Sequence, residues 1–267
     1  MLPDPVDILS NGIEKSVVYT PAEGDSNPRG SREGRRAKHR LLISTLQVES
    51  RVFSYAVPSI DNSAFLRSWG QLDAKLGYPL VGSSDVRVFL KGSFAGTTNF
   101  DTIQPGGNAK FNLGKDNNLV VESNEIVPQN HGTEEDKSTW FITDKRKFRV
   151  KTNEIVFSVK STHETNQLVI VSETLPKSSD ADIQVELLIP DKSSLMKDIG
   201  TDQASSYEQC LGIVLDEVPS TKLTVSVFVC KISGNIIWAQ WVLPQSSLSA
   251  SLKYKVAWPE DREIYVS

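Results

Sequence analysis

Three histidines, two cysteines and five tryptophans stand in the 267 residues of this chain. Catalysis, soft-metal binding or sugar stacking would have to be built from these. His39, His131 and His163 fall in or beside three separate loops. A Ser-His-Asp arrangement needs a histidine that touches the nucleophile and is oriented by a carboxylate. No spacing groups these three, so each reads as a surface-loop histidine. The nearest approach to a nucleophile elbow is Gly92-Ser93-Phe94-Ala95-Gly96. Its serine is one position too early, and the segment reads as part of a hairpin. Gly106-Gly107 follows Pro105 and opens a strand, so it is a turn rather than a phosphate loop. Glu134-Glu135-Asp136 is consecutive and abuts Lys137, whereas a hard-cation loop spaces its oxygen ligands. Asp180, Asp182 and Asp191 flank strands in the same way and read as solvated.

Cys210 and Cys230 lie twenty residues apart. They read as reduced thiols, Cys230 within a buried strand, with a disulfide as the alternative. Trp238, Trp241 and Trp258 occupy the last two strand-like runs. An exposed aromatic row could form a sugar platform. Strict alternation sends Trp238 and Trp241 to opposite faces, so core packing is the expected role. No catalytic, cofactor-binding or metal-ligating residue is assigned, and no cofactor is expected.

Hydrophobic residues make up 39% of the chain and charged residues 23%, with a net charge of −4. This is a globular composition with material for a core. The acidic balance argues against duplex nucleic acid as a partner. Residues 1–10 lack the basic start and apolar centre of a secretory signal. No apolar run is long enough to span a bilayer. A cytoplasmic location is therefore the default expectation. One basic run, Arg29, Arg32, Arg35, Arg36, Lys38 and Arg40, lies in a Pro- and Gly-rich stretch. It reads as a solvated loop rather than an import or phosphate-binding patch, and residues 1–38 read as a largely disordered segment.

Beyond Leu41 the pattern has period two. Arg51–Val57 alternates and stops at Pro58. Asp85–Leu90 and Ser93–Thr97 flank Lys91-Gly92, a hairpin signature. Ala109–Leu113, Leu119–Val121, Trp140–Lys151, Asn153–Ser161, Gln167–Ser172, Asp182–Leu188, Leu223–Ile232, Asn235–Leu243 and Leu248–Trp258 read as further strands. Helical periodicity is confined to Ser63–Asp73 and Tyr207–Leu215. Strands at this spacing, without βαβ alternation, predict an all-β fold of two tandem β-sandwich-like units. The polar stretch 128–138 separates a first unit at 39–127 from an immunoglobulin-like unit at 139–264.

A family resemblance adds to this reading. Tyr55-Ala-Val-Pro58, Ala64-Phe-Leu-Arg67, Tyr78-Pro-Leu80 and Val88-Phe-Leu-Lys-Gly-Ser-Phe-Ala-Gly96 follow one another in order. Pro105-Gly106, Phe111-Asn-Leu-Gly114, Asp116, Glu173-Thr-Leu-Pro176, Asp182–Leu188 and Tyr254-Lys-Val-Ala-Trp-Pro259 continue the series. Taken in this order, the chain resembles the mucoidy inhibitor A-like family over about residues 39–197 and 233–264. The resemblance implies a β-rich domain of unknown function with an immunoglobulin-like tail, and no catalytic residues. It also implies that 267 residues are the C-terminal portion of a longer architecture. Residues 68–77 depart from the family's regular strand. Residues 198–232 have no counterpart and read as an insert, either a genuine excursion or a gene-model artefact. The expected function is a non-catalytic β-sandwich module for protein–protein interaction or assembly. A hydrolase with a loop-built site and a carbohydrate-binding module are the alternatives.

Overall fold

A computed structural model of the chain describes residues 6–9, 12–19, 39–46, 48, 50–90, 92–126, 132–135, 147–191, 196–219 and 223–261. Among these, strands dominate. β1 (Val6–Leu9), β2 (Gly12–Tyr19), β3 (His39–Leu46), β4 (Ser50–Val57) and β5 (Asp61–Gln71) come first. β6 (Ser83–Leu90), β7 (Ser93–Phe100), β8 (Asn108–Lys115), β9 (Leu119–Ile126), β10 (Gly132–Glu135) and β11 (Lys147–Ser161) follow. β12 (Gln167–Thr174), β13 (Gln184–Ile189) and β14 (Met196–Ile199) precede one helix, α1 (Tyr207–Glu217). β15 (Ser226–Cys230), β16 (Asn235–Val242) and β17 (Ser247–Pro259) complete the order. The chain is all-β, as its period-two patterning predicts.

The strands fall into two compact units, one of residues 1–53 and 65–115, the other of 54–64 and 116–267. This division differs from the boundary drawn through 128–138. Residues 132–135 of that stretch are strand β10, paired with β11, and β9 also pairs with β11. The β9 strand therefore groups with the second unit, together with 54–64.

In the first unit, β1, β2 and β3 form an antiparallel sheet, with Ile13 opposite both Ile8 and Leu46. Within the segment 1–38, expected to be largely disordered, residues 6–9 and 12–19 are strands, where Ile8, Ile13, Val17 and Val18 supply β-branched residues. The remainder of that segment, including the basic run up to Lys38, lies outside the described residues. β6 and β7 form the expected hairpin, turning at Gly92 with φ +80°, a value that glycine adopts without a Cβ clash. Ala109, Phe111 and Leu113 alternate inward from β8 and join Val86, Val88, Leu72 and Leu80 in one core. Residues 65–71 pair antiparallel with β8. This overturns the helical reading of Ser63–Asp73. Cross-strand pairing outweighs weak local propensity here, and Trp69 lies opposite Lys110 with the ammonium 4.8 Å from its ring centre.

The second unit is a β-sandwich. One sheet has the order β10-β11-β17-β13, with β9 also on β11. The other runs β14-β15-β16-β12, and residues 54–56 of β4 pair in parallel with β12. Phe157 and Val159 from β11, Leu252, Tyr254, Val256 and Trp258 from β17, Val169 and Val171 from β12, and Ile236 and Trp238 from β16 share one core. Trp238 meets Phe157 edge to face at 5.0 Å between ring centres. Trp241, three residues on, is on the opposite face and half-buried.

The second sheet also buries its outer face. Ile170, Ile237, Ala239 and Phe228 alternate with the sandwich-facing residues and are nevertheless sealed from solvent. α1 lies against this face at β15. Its buried stripe of Cys210, Leu211, Val214 and Leu215 is joined to that face through a disulfide between Cys210 and Cys230. The reduced-thiol reading is overturned. Cys210 in the helix and Cys230 at the end of β15 bring their Cα atoms to 6.1 Å, within disulfide range. The stretch 198–232 contributes α1 and β15 to this layer. Tyr207–Leu215 is helical as expected, capped by Ser206, whose hydroxyl accepts from the Gln209 amide.

Candidate functional site

A buried polar cluster is centred on Asp116. This residue follows β8 and is about 1% exposed. Asp116-Asn-Asn-Leu119 is a turn sequence, and the structure makes it one. The Asn118 amide donates to Asp116 Oδ1 at 3.0 Å, an Asx-type turn. The loop between β11 and β12 folds against this turn, with both the Thr162 amide and its hydroxyl donating to the Asn118 carbonyl. That pairing sets His163, whose Nε2 stands 2.8 Å from Asp116 Oδ2. A carboxylate oxygen accepts, so the Nε2–H form donates to it. Ser54, at the start of the β4–β12 parallel pairing, donates its hydroxyl to the same Oδ2 at 2.6 Å. Gln167 Nε2 in turn donates to Ser54 Oγ at 3.2 Å.

Serine, histidine and aspartate thus meet, in an order unlike a hydrolytic triad. In a triad the histidine bridges nucleophile and carboxylate and takes the serine proton. Here the serine hydroxyl donates directly to the carboxylate, and His163 ends on the same oxygen. Ser54 is fully buried, and the His163 side chain is 15% exposed. The arrangement can brace four chain segments: β4, the β8–β9 turn, the β11–β12 loop and the first residue of β12. His163 is therefore no free loop histidine. Buried carboxylates are tolerated when several donors converge on them, and three do so here.

A second buried carboxylate, Glu173, faces the sandwich interior from β12, on the side of Val169 and Val171. Its Oε1 accepts the Ser59 amide at 2.9 Å. Burial pushes its carboxyl above the usual range, and the hydrogen bonds from Ser59 offset part of that. On the other face of β12, Tyr207 of α1 donates to Ser172 Oγ at 2.9 Å. Its hydroxyl also lies 2.8 Å from that of Tyr55, and Asn235 Nδ2 donates to Ser172 at 3.1 Å. Sequence reasoning assigned no role to Ser54, Glu173 or Tyr207. Asp116 and Glu173 entered only as members of family motifs, and their partners lie 47 to 114 positions away.

The other expected positions are dispersed. His39 lies on β3 and Glu134 and Glu135 on β10, while His131 and Asp136 fall outside the described residues. Asp180 accepts the Asp182 amide at 2.9 Å in the turn before β13. Asp191 is exposed. Gly92–Gly96 forms the hairpin tip, where Phe89 and Phe94 pack edge to face at 5.6 Å and Phe94 is 59% exposed. Among the described residues, no three His, Cys, Asp or Glu side chains gather as a metal-ligand cluster. No helix among them is long and apolar enough to cross a membrane.

The chain is similar to the Caenorhabditis elegans protein F37C4.5, with 24% identity over 204 residues. The matched region covers 73% of this chain and 34% of that protein, so the chain spans about a third of its relative's length. No family model and no solved structure matches the chain.

Proposed function

We propose that this chain is a non-catalytic β-sandwich module of the mucoidy inhibitor A-like type, serving protein–protein interaction or assembly. The observation that carries the reading is the aromatic tip of the β6–β7 hairpin. Phe94 leaves most of its ring in solvent while its edge is held against Phe89. A large aromatic residue held at a fixed angle loses little conformational freedom on docking, which is the property of interface anchors. The Ser54–Asp116–His163 cluster supports the same reading, because its donors are committed to one carboxylate and its serine is sealed.

The test places a photo-crosslinking phenylalanine analogue at position 94 in cells, with the same analogue at exposed position 122 as control. A discrete protein adduct at 94 and not at 122 is expected. Equal or absent crosslinking at the two positions would sink the reading. The second reading, a hydrolase, draws on the meeting of Ser54, Asp116 and His163. Covalent labelling of Ser54 by a fluorophosphonate would replace the module proposal with it.

A further inference from the structure

We propose that the Cys210–Cys230 bond is an oxidation-dependent clasp that holds α1 over the outer face of the second sheet. Three observations carry this. First, α1 has eleven residues, below the length at which a helix stands alone in water. Its order must come from what it touches. Second, the face beneath it is apolar, with Ile170, Ile237, Ala239 and Phe228 buried on the side away from the sandwich core. Third, Cys210 lies in the helix and Cys230 at the end of β15, so the bond joins α1 directly to that face. Tyr207 makes neutral hydrogen bonds at the helix start, and Lys197 meets Glu217 at its end at 2.6 Å, between side chains that are more than a third exposed. Exposed pairs of this kind contribute little. The covalent bond, by contrast, does not depend on the helix being formed.

Both cysteines are fully buried, so the bond forms as α1 docks and exchanges with outside thiols only when α1 opens. Formation is an exchange with a small-molecule disulfide such as oxidised glutathione. One Cys thiolate attacks it, and one glutathione thiol leaves. The second Cys thiolate then attacks the mixed disulfide and releases the other thiol. One S–S bond forms, one breaks, and two electrons pass from the cysteine pair to the glutathione disulfide. In the dithiol form the two side chains still pack as small apolar groups. The sandwich then persists while α1 opens more often. The thiol–disulfide balance of the compartment thereby sets how firmly the outer face is covered.

The experiment folds the full chain in a glutathione redox buffer, blocks free thiols with an alkylating reagent and reads the mass. Hydrogen exchange is then followed in peptides from α1, β11 and β17, before and after reduction, and in the C210A/C230A double variant. The expected result is an unalkylated cysteine pair. Exchange in α1 should rise on the order of tenfold on reduction, β11 and β17 should stay unchanged, and the double variant should match the reduced protein. Two alkylated cysteines in the folded chain would overturn the proposal. So would α1 exchange that is indifferent to reduction. A rise shared equally by β11 and β17 would also overturn it, because the bond would then staple the whole unit rather than clasp one helix.

Discussion

His163 and Ser54 both end on one oxygen, Asp116 Oδ2, at 2.8 and 2.6 Å. Two donors from segments 109 positions apart (163 − 54) therefore depend on a single acceptor. Replacing Asp116 by alanine leaves the Ser54 hydroxyl, the His163 ring N–H and the Asn118 amide without it. We expect a loss of about 3 kcal/mol in urea unfolding, against about 1–2 kcal/mol for Ser54→Ala, which removes one of the three bonds to Asp116 and the bond from Gln167. Equal costs for the two variants would show that Asp116 does not act as the hub.

Glu173 offers a pH test. Burial raises its carboxyl in the folded chain, so the folded state holds that proton more tightly than the unfolded state. Its contribution is full below the unfolded value of about 4.3 and is lost as pH rises through the folded value. Glu173→Gln keeps an oxygen for the Ser59 amide and removes the charge. The variant should match the parent near the unfolded value and become progressively more stable than it as pH rises toward neutrality. Chemical denaturation across that range reads the difference, and a constant offset would contradict it.

Trp238 and Trp241 should separate sharply. Trp238 is packed against Phe157 inside the sandwich, and Trp238→Ala should cost about 3–5 kcal/mol. Trp241 is half-buried, and its Nε1 is without a hydrogen-bond partner. Trp241→Phe removes a desolvated donor and should stay within about 1 kcal/mol of the parent. Thermal unfolding of both variants measures the contrast.

Gly234 closes the β15–β16 turn at φ +79°. Its would-be Cβ meets the end of the Lys177 side chain, which also donates to the Ile232 carbonyl at 2.9 Å. Gly234→Ala should cost about 1–2 kcal/mol through backbone strain, because the flexible lysine can shift. Lys177→Ala in the same background should not restore the loss, and recovery would place the cost in the clash instead.

How far the sequence foretells this arrangement depends on the range of the contacts. The β6–β7 hairpin, the inward alternation of β8, and strands β16 and β17 follow from neighbours two residues apart, so periodicity exposes them. The β5 strand does not, because its pairing with β8 supplies order that its own residues do not encode. The disulfide is hidden from the sequence for a related reason. Nothing between positions 210 and 230 announces that a helix will set one cysteine over the end of the strand that carries the other. The Asp116 hub is hidden further still. Its turn is legible as Asp-Asn-Asn, but the serine and histidine that complete it arrive from β4 and from the loop after β11. Local propensity carries no record of such distant company.

The parallel pairing of Ser54 with Val169 sets a schedule for synthesis. These partners are separated by 115 positions (169 − 54), and residues 65–115 of the other unit lie between them. A growing chain must release all of that before the β4 segment finds β12. Until then, β4 has its neighbour β5 on one side and lacks β12 on the other. The first unit can form its own core in the meantime, and the second closes only after β16 and β17 follow β12.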